Sequence, residues 1–140
     1  CVLTNNTASS NSGSGFHLMY TDHCTLTLNT AIDNIYYGIS IRDTSHHNIL
    51  YLNRLGNNNK SNANDDGLFN SWDDGISSGN YWMDYNGIGP YIIPGDGGGV
   101  DNHPFVWGPV PTTTQIILIL GFVGAGIGVL VAVFLLKKKK

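Results

Sequence analysis

Two sets of side chains in this 140-residue chain have the types and spacing to do chemistry. His23-Cys24 and His46-His47 recur one repeat apart, and imidazole and thiolate are ligands for copper or zinc. His23, Cys24, His46 and His47 therefore form a candidate metal set, although their spacing matches no metal signature and turn residues with solvated rings are the simpler reading. The second set is acidic. Asp65-Asp66 and Asp73-Asp74, followed by Asp96 and Asp101, are rich enough in carboxylate oxygen for calcium. Asp-Gly pairs also build turns, so the calcium set of Asp65, Asp66, Asp73 and Asp74 has a structural reading beside it. Glycoside cleavage needs paired acids in a groove, and Asp22 and Asp43 are the candidates on the repeats, with no basic residue accompanying them in repeat register. The expectation is a protein that is not an enzyme, with no obligatory cofactor and with calcium or copper as the ions to consider.

Charge narrows the partners. All ten acidic residues are Asp and precede the apolar tail, where only Arg42, Arg54 and Lys60 oppose them. That part carries a net charge of −7 (3 − 10), which disfavours nucleic acid and suits a solvated exterior. Cys1 and Cys24 fall at near-equivalent repeat positions, where they could stack as neighbours and form a disulfide outside the cell, although two cysteines are too few to fix the compartment. Asn5-Asn6-Thr7 and Asn59-Lys60-Ser61 fit the N-glycosylation pattern at Asn5 and Asn59.

A repeat must position these groups. Gly15-Phe16-His17-Leu18 returns as Gly38-Ile39-Ser40-Ile41, and Cys24-Thr25-Leu26-Thr27-Leu28-Asn29 returns as Asn48-Ile49-Leu50-Tyr51-Leu52-Asn53. A partial copy, Val2-Leu3-Thr4-Asn5, precedes Leu26-Thr27-Leu28-Asn29 by 24 residues. Each unit holds short runs of alternating apolar residues between polar turns, without helical spacing. Such units are the coils of a β-solenoid, stacked ~4.8 Å apart. The register predicts interior pairs Phe16/Ile39, Leu18/Ile41, Leu26/Leu50 and Leu28/Leu52, and an asparagine ladder of Asn5, Asn29 and Asn53.

Residues 1–56 are thus read as the last coils of a longer solenoid, the rival being a lipid-modified Cys1 at a processed terminus. Residues 57–67 are polar without alternation and read as a surface loop. The stretch beyond, within the 57–105 capping region, gathers Phe69, Trp72, Tyr81, Trp82 and Tyr85. Trp72, Tyr81 and Trp82 are expected to close the last coil, with Gly75, Gly79 and Gly87 supplying turns.

The terminal block carries a resemblance. Asn70-Ser71-Trp72-Asp73-Asp74-Gly75, Gly79-Asn80-Tyr81-Trp82-Met83-Asp84-Tyr85, Tyr91-Ile92-Ile93-Pro94-Gly95 and Val100-Asp101-Asn102-His103-Pro104 together resemble the ending of archaeal NosD-like (periplasmic copper-binding) β-helix proteins. The resemblance covers about residues 1–105 and implies a right-handed parallel β-helix outside the cell. It does not by itself imply copper.

Residues 106–115 are a Pro/Thr linker. Residues 116–136, opening on Ile116 and closing on Leu136, are uncharged and long enough for a transmembrane helix. Gly124 and Gly128 in it make a GxxxG, a pattern that favours helix pairing. Lys137 begins a four-lysine tail (137–140) that the positive-inside rule places in the cytoplasm. The fold class expected is all-β, a right-handed parallel solenoid with a C-terminal cap, followed by one membrane helix. Its partners would be membrane lipid and extracellular glycans or surface proteins, with Tyr20, Tyr37 and Tyr51 as candidate contacts. The alternative is a copper-handling or carbohydrate-active solenoid whose site lies on upstream coils.

Overall fold

The computed structural model describes residues 1–108. Strands of two to five residues alternate with tight corners, and coil upon coil pairs in parallel. β1 (Val2–Thr4), β4 (Thr25–Thr27) and β7 (Ile49–Tyr51) form one sheet. β2 (Thr7–Ser9), β5 (Thr30–Ile32), β8 (Arg54–Gly56), β10 (Tyr81–Trp82) and β13 (Phe105–Val106) form a second. β3 (Phe16–Leu18), β6 (Tyr37–Ile41) and β9 (Ser61–Asp65) form the third. The result is a three-sided parallel β-solenoid of about four coils. A small antiparallel pair, β11 (Tyr91–Ile92) and β12 (Val100–Asp101), belongs to the cap. Among the described residues no helix is long and apolar enough to cross a membrane, and residues 116–136 lie outside them.

Corners follow one rule. A residue with φ of 54–60° turns the chain, and in most corners the next residue is an asparagine directed inward: Leu28-Asn29, Asp33-Asn34, His47-Asn48, Leu52-Asn53 and Asn57-Asn58 all obey it. A left-handed non-glycine residue costs on the order of 1–3 kcal/mol. The buried amide that follows offsets it by bonding to the coils above and below.

The core register holds Phe16 against Ile39, Leu18 against Ile41 and Leu26 against Leu50, with Leu26, Ile39, Ile41 and Leu50 buried. Leu28 and Leu52 are not an interior pair. Both are left-handed corner residues and Leu28 is 55% exposed, because the corner reverses the alternation that the strand set up. The upstream copy is offset by 23, not 24: Leu3 pairs with Leu26, which places Asn6 rather than Asn5 opposite Asn29. Asn5 is an exposed corner residue.

Residues 57–67 are not a loop. Five of them form β9, paired with β6, with Ala63 opposite Ile39 and Asp65 opposite Ile41. The strand hides from a hydropathy reading because its inward positions are filled by Ala63 and a carboxylate. Trp72 and Trp82 are fully buried above it, whereas Tyr81 points outward from β10 and caps nothing. Gly75 and Gly87 do turn the chain with positive φ. Gly79 has another reason: a Cβ there would collide with the Asp101 carboxylate.

Candidate functional site

Three columns of amide side chains run along the solenoid, and each ends on an aspartate. In the first, Asn6, Asn29, Asn53 and Asn80 each donate through Nδ2 to the next, at 3.1, 3.0 and 2.9 Å, and Asn80 donates its backbone N–H to Asp101 at 2.7 Å. In the second, Asn11, Asn34, Asn58 and Asn62 are linked at 2.8, 2.9 and 3.1 Å, and Asn62 donates to Asp84 at 2.9 Å. In the third, the backbone N–H of Cys24 donates to Asn48, Asn48 to Asn70, and Asn70 to Asp65. Most of these Nδ2 groups donate both to the next asparagine and to a backbone carbonyl of the preceding coil, as Asn29 does to Leu3, Asn48 to Thr21 and Asn53 to Leu26, and each column finishes on a carboxylate, which when ionised only accepts.

Asp65 and Asp101 also receive the indole N–H of Trp72 and Trp82, at 2.7 and 2.9 Å. Burial raises both carboxyls above their ordinary value; the hydrogen bonds from the indoles, Asn70, Asn80 and nearby backbone pull back without cancelling it. Asp73 is raised by burial too, but bonds from Asn102 and Gly75 outweigh that and hold it low. Asp74 accepts the backbone N–H groups of Ser78, Ser77 and Ile76 and is lowered to about 2.

These bonds occupy the carboxylates expected to hold calcium. Asp65 faces the core, Asp73 faces Asn102 and Gly75, and Asp74 closes its own turn, so Asp65, Asp66, Asp73 and Asp74 do not converge. Among the described residues no three His, Cys, Asp or Glu side chains come together as a metal set. The histidine set is likewise separated. Cys24 is joined to Cys1 in a disulfide across neighbouring coils, Cα to Cα 4.4 Å, leaving no thiolate. His46 Nδ1 accepts the Leu68 N–H at 3.2 Å. His23 and His47 stack face to face at 5.1 Å, and Phe69 continues the column at 5.2 Å. A metal sits about 2 Å from nitrogen in the ring plane, so two rings stacked in this way cannot aim at one ion. Asn5 and Asn59 are both exposed, as an acceptor asparagine must be.

Tyr20, Tyr37 and Tyr51 do not share a face: Tyr20 stands at a corner, Tyr37 on β6 and Tyr51 on β7. The aromatic surface lies elsewhere. On the outer side of β8, β10 and β13, Tyr81 stacks on Phe105 at 4.8 Å, and the Arg54 guanidinium lies 5.8 Å from the Tyr81 ring and 4.4 Å from that of Trp107. The 24-residue offset from Tyr81 to Phe105 (105 − 81), the same as in the coils, is the sequence signal for this column.

Around the adjoining corner is a cleft of 460 Å³ lined by Asn57, Asn58, Lys60, Ser61, Asn62, Met83 and Asp84. The Lys60 ammonium lies 4.9 Å from the Tyr37 ring, and its hydrogen bond and charge interaction with Tyr37 hold it above its ordinary pKa. On the far wall Asp84 accepts from Asn62 and from the Tyr91 hydroxyl, whose own pKa is raised by burial and by that carboxylate. The cleft therefore offers a cation, a carboxylate and several amides around the apolar Met83.

Residues 1–87, which include every asparagine of the three ladders, match the family described as periplasmic copper-binding protein (NosD). The chain belongs to the NosD family. No curated protein and no solved structure matches it. In this NosD-family chain His23, Cys24, His46 and His47 do not come together as a copper centre: Cys24 is joined to Cys1, and His23 and His47 stack rather than converge.

Proposed function

We propose that this NosD-family chain is an outward-facing, membrane-anchored solenoid of the cell envelope that binds extracellular glycan. The observation that carries the reading is the cleft beside Lys60. Amide, hydroxyl and ammonium groups there match the hydroxyl-rich edge of a sugar, and Met83 with the Tyr37 ring offers surface for its C–H face. Three features support the setting: the family's periplasmic description, a disulfide that requires an oxidising compartment, and the apolar residues 116–136 before four lysines. No hydrolytic step is assigned, since Asp22 accepts the backbone N–H of His46 and Asp43 has no acidic neighbour in the coil register.

Calorimetric titration of the detergent-solubilised chain with a panel of soluble oligosaccharides tests the proposal. At least one is expected to bind, with Lys60→Ala or Asn57→Ala weakening it tenfold or more. Absence of binding across the panel, or binding indifferent to both substitutions, would remove the reading.

Copper handling is the second reading, favoured by the family description alone. Stoichiometric copper binding by the oxidised chain, lost in His23→Ala or His47→Ala, would transfer the conclusion to it. Binding that survives both changes would leave the imidazole column without a metal role.

A further inference from the structure

The outer columns of the five-stranded sheet change character along the axis. One reads Thr7, Thr30, Arg54, Tyr81, Phe105 and the other ends in Met83 and Trp107, so polar residues give way to an arginine and large rings over the last three strands. Those strands carry no carboxylate in a body of net charge −7, and Asp84, next after Met83, is engaged by Asn62 and Tyr91. The Arg54 guanidinium stands against the Tyr81 and Trp107 rings, and among the described residues no carboxylate pairs with it, so its donors can meet an external anion. Trp107 is followed by only eight residues, 108–115, before the apolar stretch begins, a reach of at most about 28 Å.

We infer that this patch of Arg54, Tyr81, Met83, Phe105 and Trp107 rests on lipid headgroups, with the guanidinium on a phosphate and the rings at the interface. Aromatic rings with polar edges settle at that depth, and an arginine that keeps its donors outward meets phosphate there. The inference rests on the anchor reading of residues 116–136, and it adds an orientation: the solenoid lies with one side against the bilayer.

The chain has three tryptophans, and Trp72 and Trp82 are buried, so they serve as unquenched internal controls for folding. The 140-residue chain carrying Trp107→Phe, and the same chain carrying Trp107→Phe/Tyr81→Trp, are reconstituted into phosphatidylcholine vesicles containing a minority of phosphatidylglycerol and a lipid brominated near the headgroup. The extra emission of the double variant over the single one is expected to be quenched by half or more, and Arg54→Glu added to it to restore most of that emission. A chain that fails to float with the vesicles would remove the anchor reading, and this inference with it. A chain that floats while position 81 stays unquenched would overturn the inference alone. Shielding of that position by a soluble oligosaccharide instead would give the face to glycan and overturn it equally.

Discussion

Asn53 is bonded on every side it offers. Its Oδ1 accepts the backbone and side-chain N–H groups of Asn29, and its Nδ2 donates to the Leu26 carbonyl and to Asn80, all without water access. Asn53→Ala strands several buried partners at once, each costing about 1–3 kcal/mol when unpaired. A loss of about 3 kcal/mol or more in denaturant unfolding is expected, and Asn53→Asp should not rescue it, because a carboxylate cannot donate to Leu26. The buried acids have the opposite pH sign to the exposed ones. Asp65 and Asp101 are raised in the folded chain, so their contribution is full below their unfolded value of about 4 and is lost as pH rises through the folded value. Asp73 and Asp74 are lowered, so theirs is present above about 4 and is lost as pH falls through their folded values, which for Asp74 is about 2. Melting temperature should therefore climb on mild acidification from neutrality, peak near pH 4 and drop below it. Asp101→Asn should flatten the climb.

At the level of the strand, what could be read in advance and what could not divide along one line. Leu26, Ile39, Ile41 and Leu50 announce themselves, since alternation marks a strand and a repeat of 23 or 24 residues marks its partner. Leu50→Ala, at a fully buried position between coils, should cost about 2–5 kcal/mol by urea unfolding. Strand β9 gave no such signal, because Asp65 stands where β6 places Ile41 and β3 places Leu18, and is held there by Trp72. The ladders were half legible. Asn29 and Asn53 stand out as a repeat, yet the pairing of asparagines five apart, Asn6 with Asn11, Asn29 with Asn34, Asn53 with Asn58, reveals two corners per coil and identifies Asn6 over Asn5. The cleft was not legible at all. Its walls come from adjacent coils, and the first ladder steps by 27 residues from Asn53 to Asn80 (80 − 53), so Asp84 cannot be placed beside Asn62 by counting repeats.

Across the whole molecule, the direction shared by the three ladders separates two kinds of sequence. A coil presents the same donors upward and the same acceptors downward as its neighbours, whereas the aspartate ends accept and do not pass anything on. A second copy of residues 25–48 inserted before Ile49 should fold in register, with Asn29, Asn34 and Asn48 extending all three columns, and should raise the denaturant dependence of unfolding in proportion to the added surface. An insertion of half that length should collapse the fold, since its inward residues would face water. The solenoid is in this sense a measuring rod graduated in whole coils, ~4.8 Å apart. Family members could lengthen or shorten their reach by duplication or loss of a unit while the closing aspartates, and everything built on them, stay untouched.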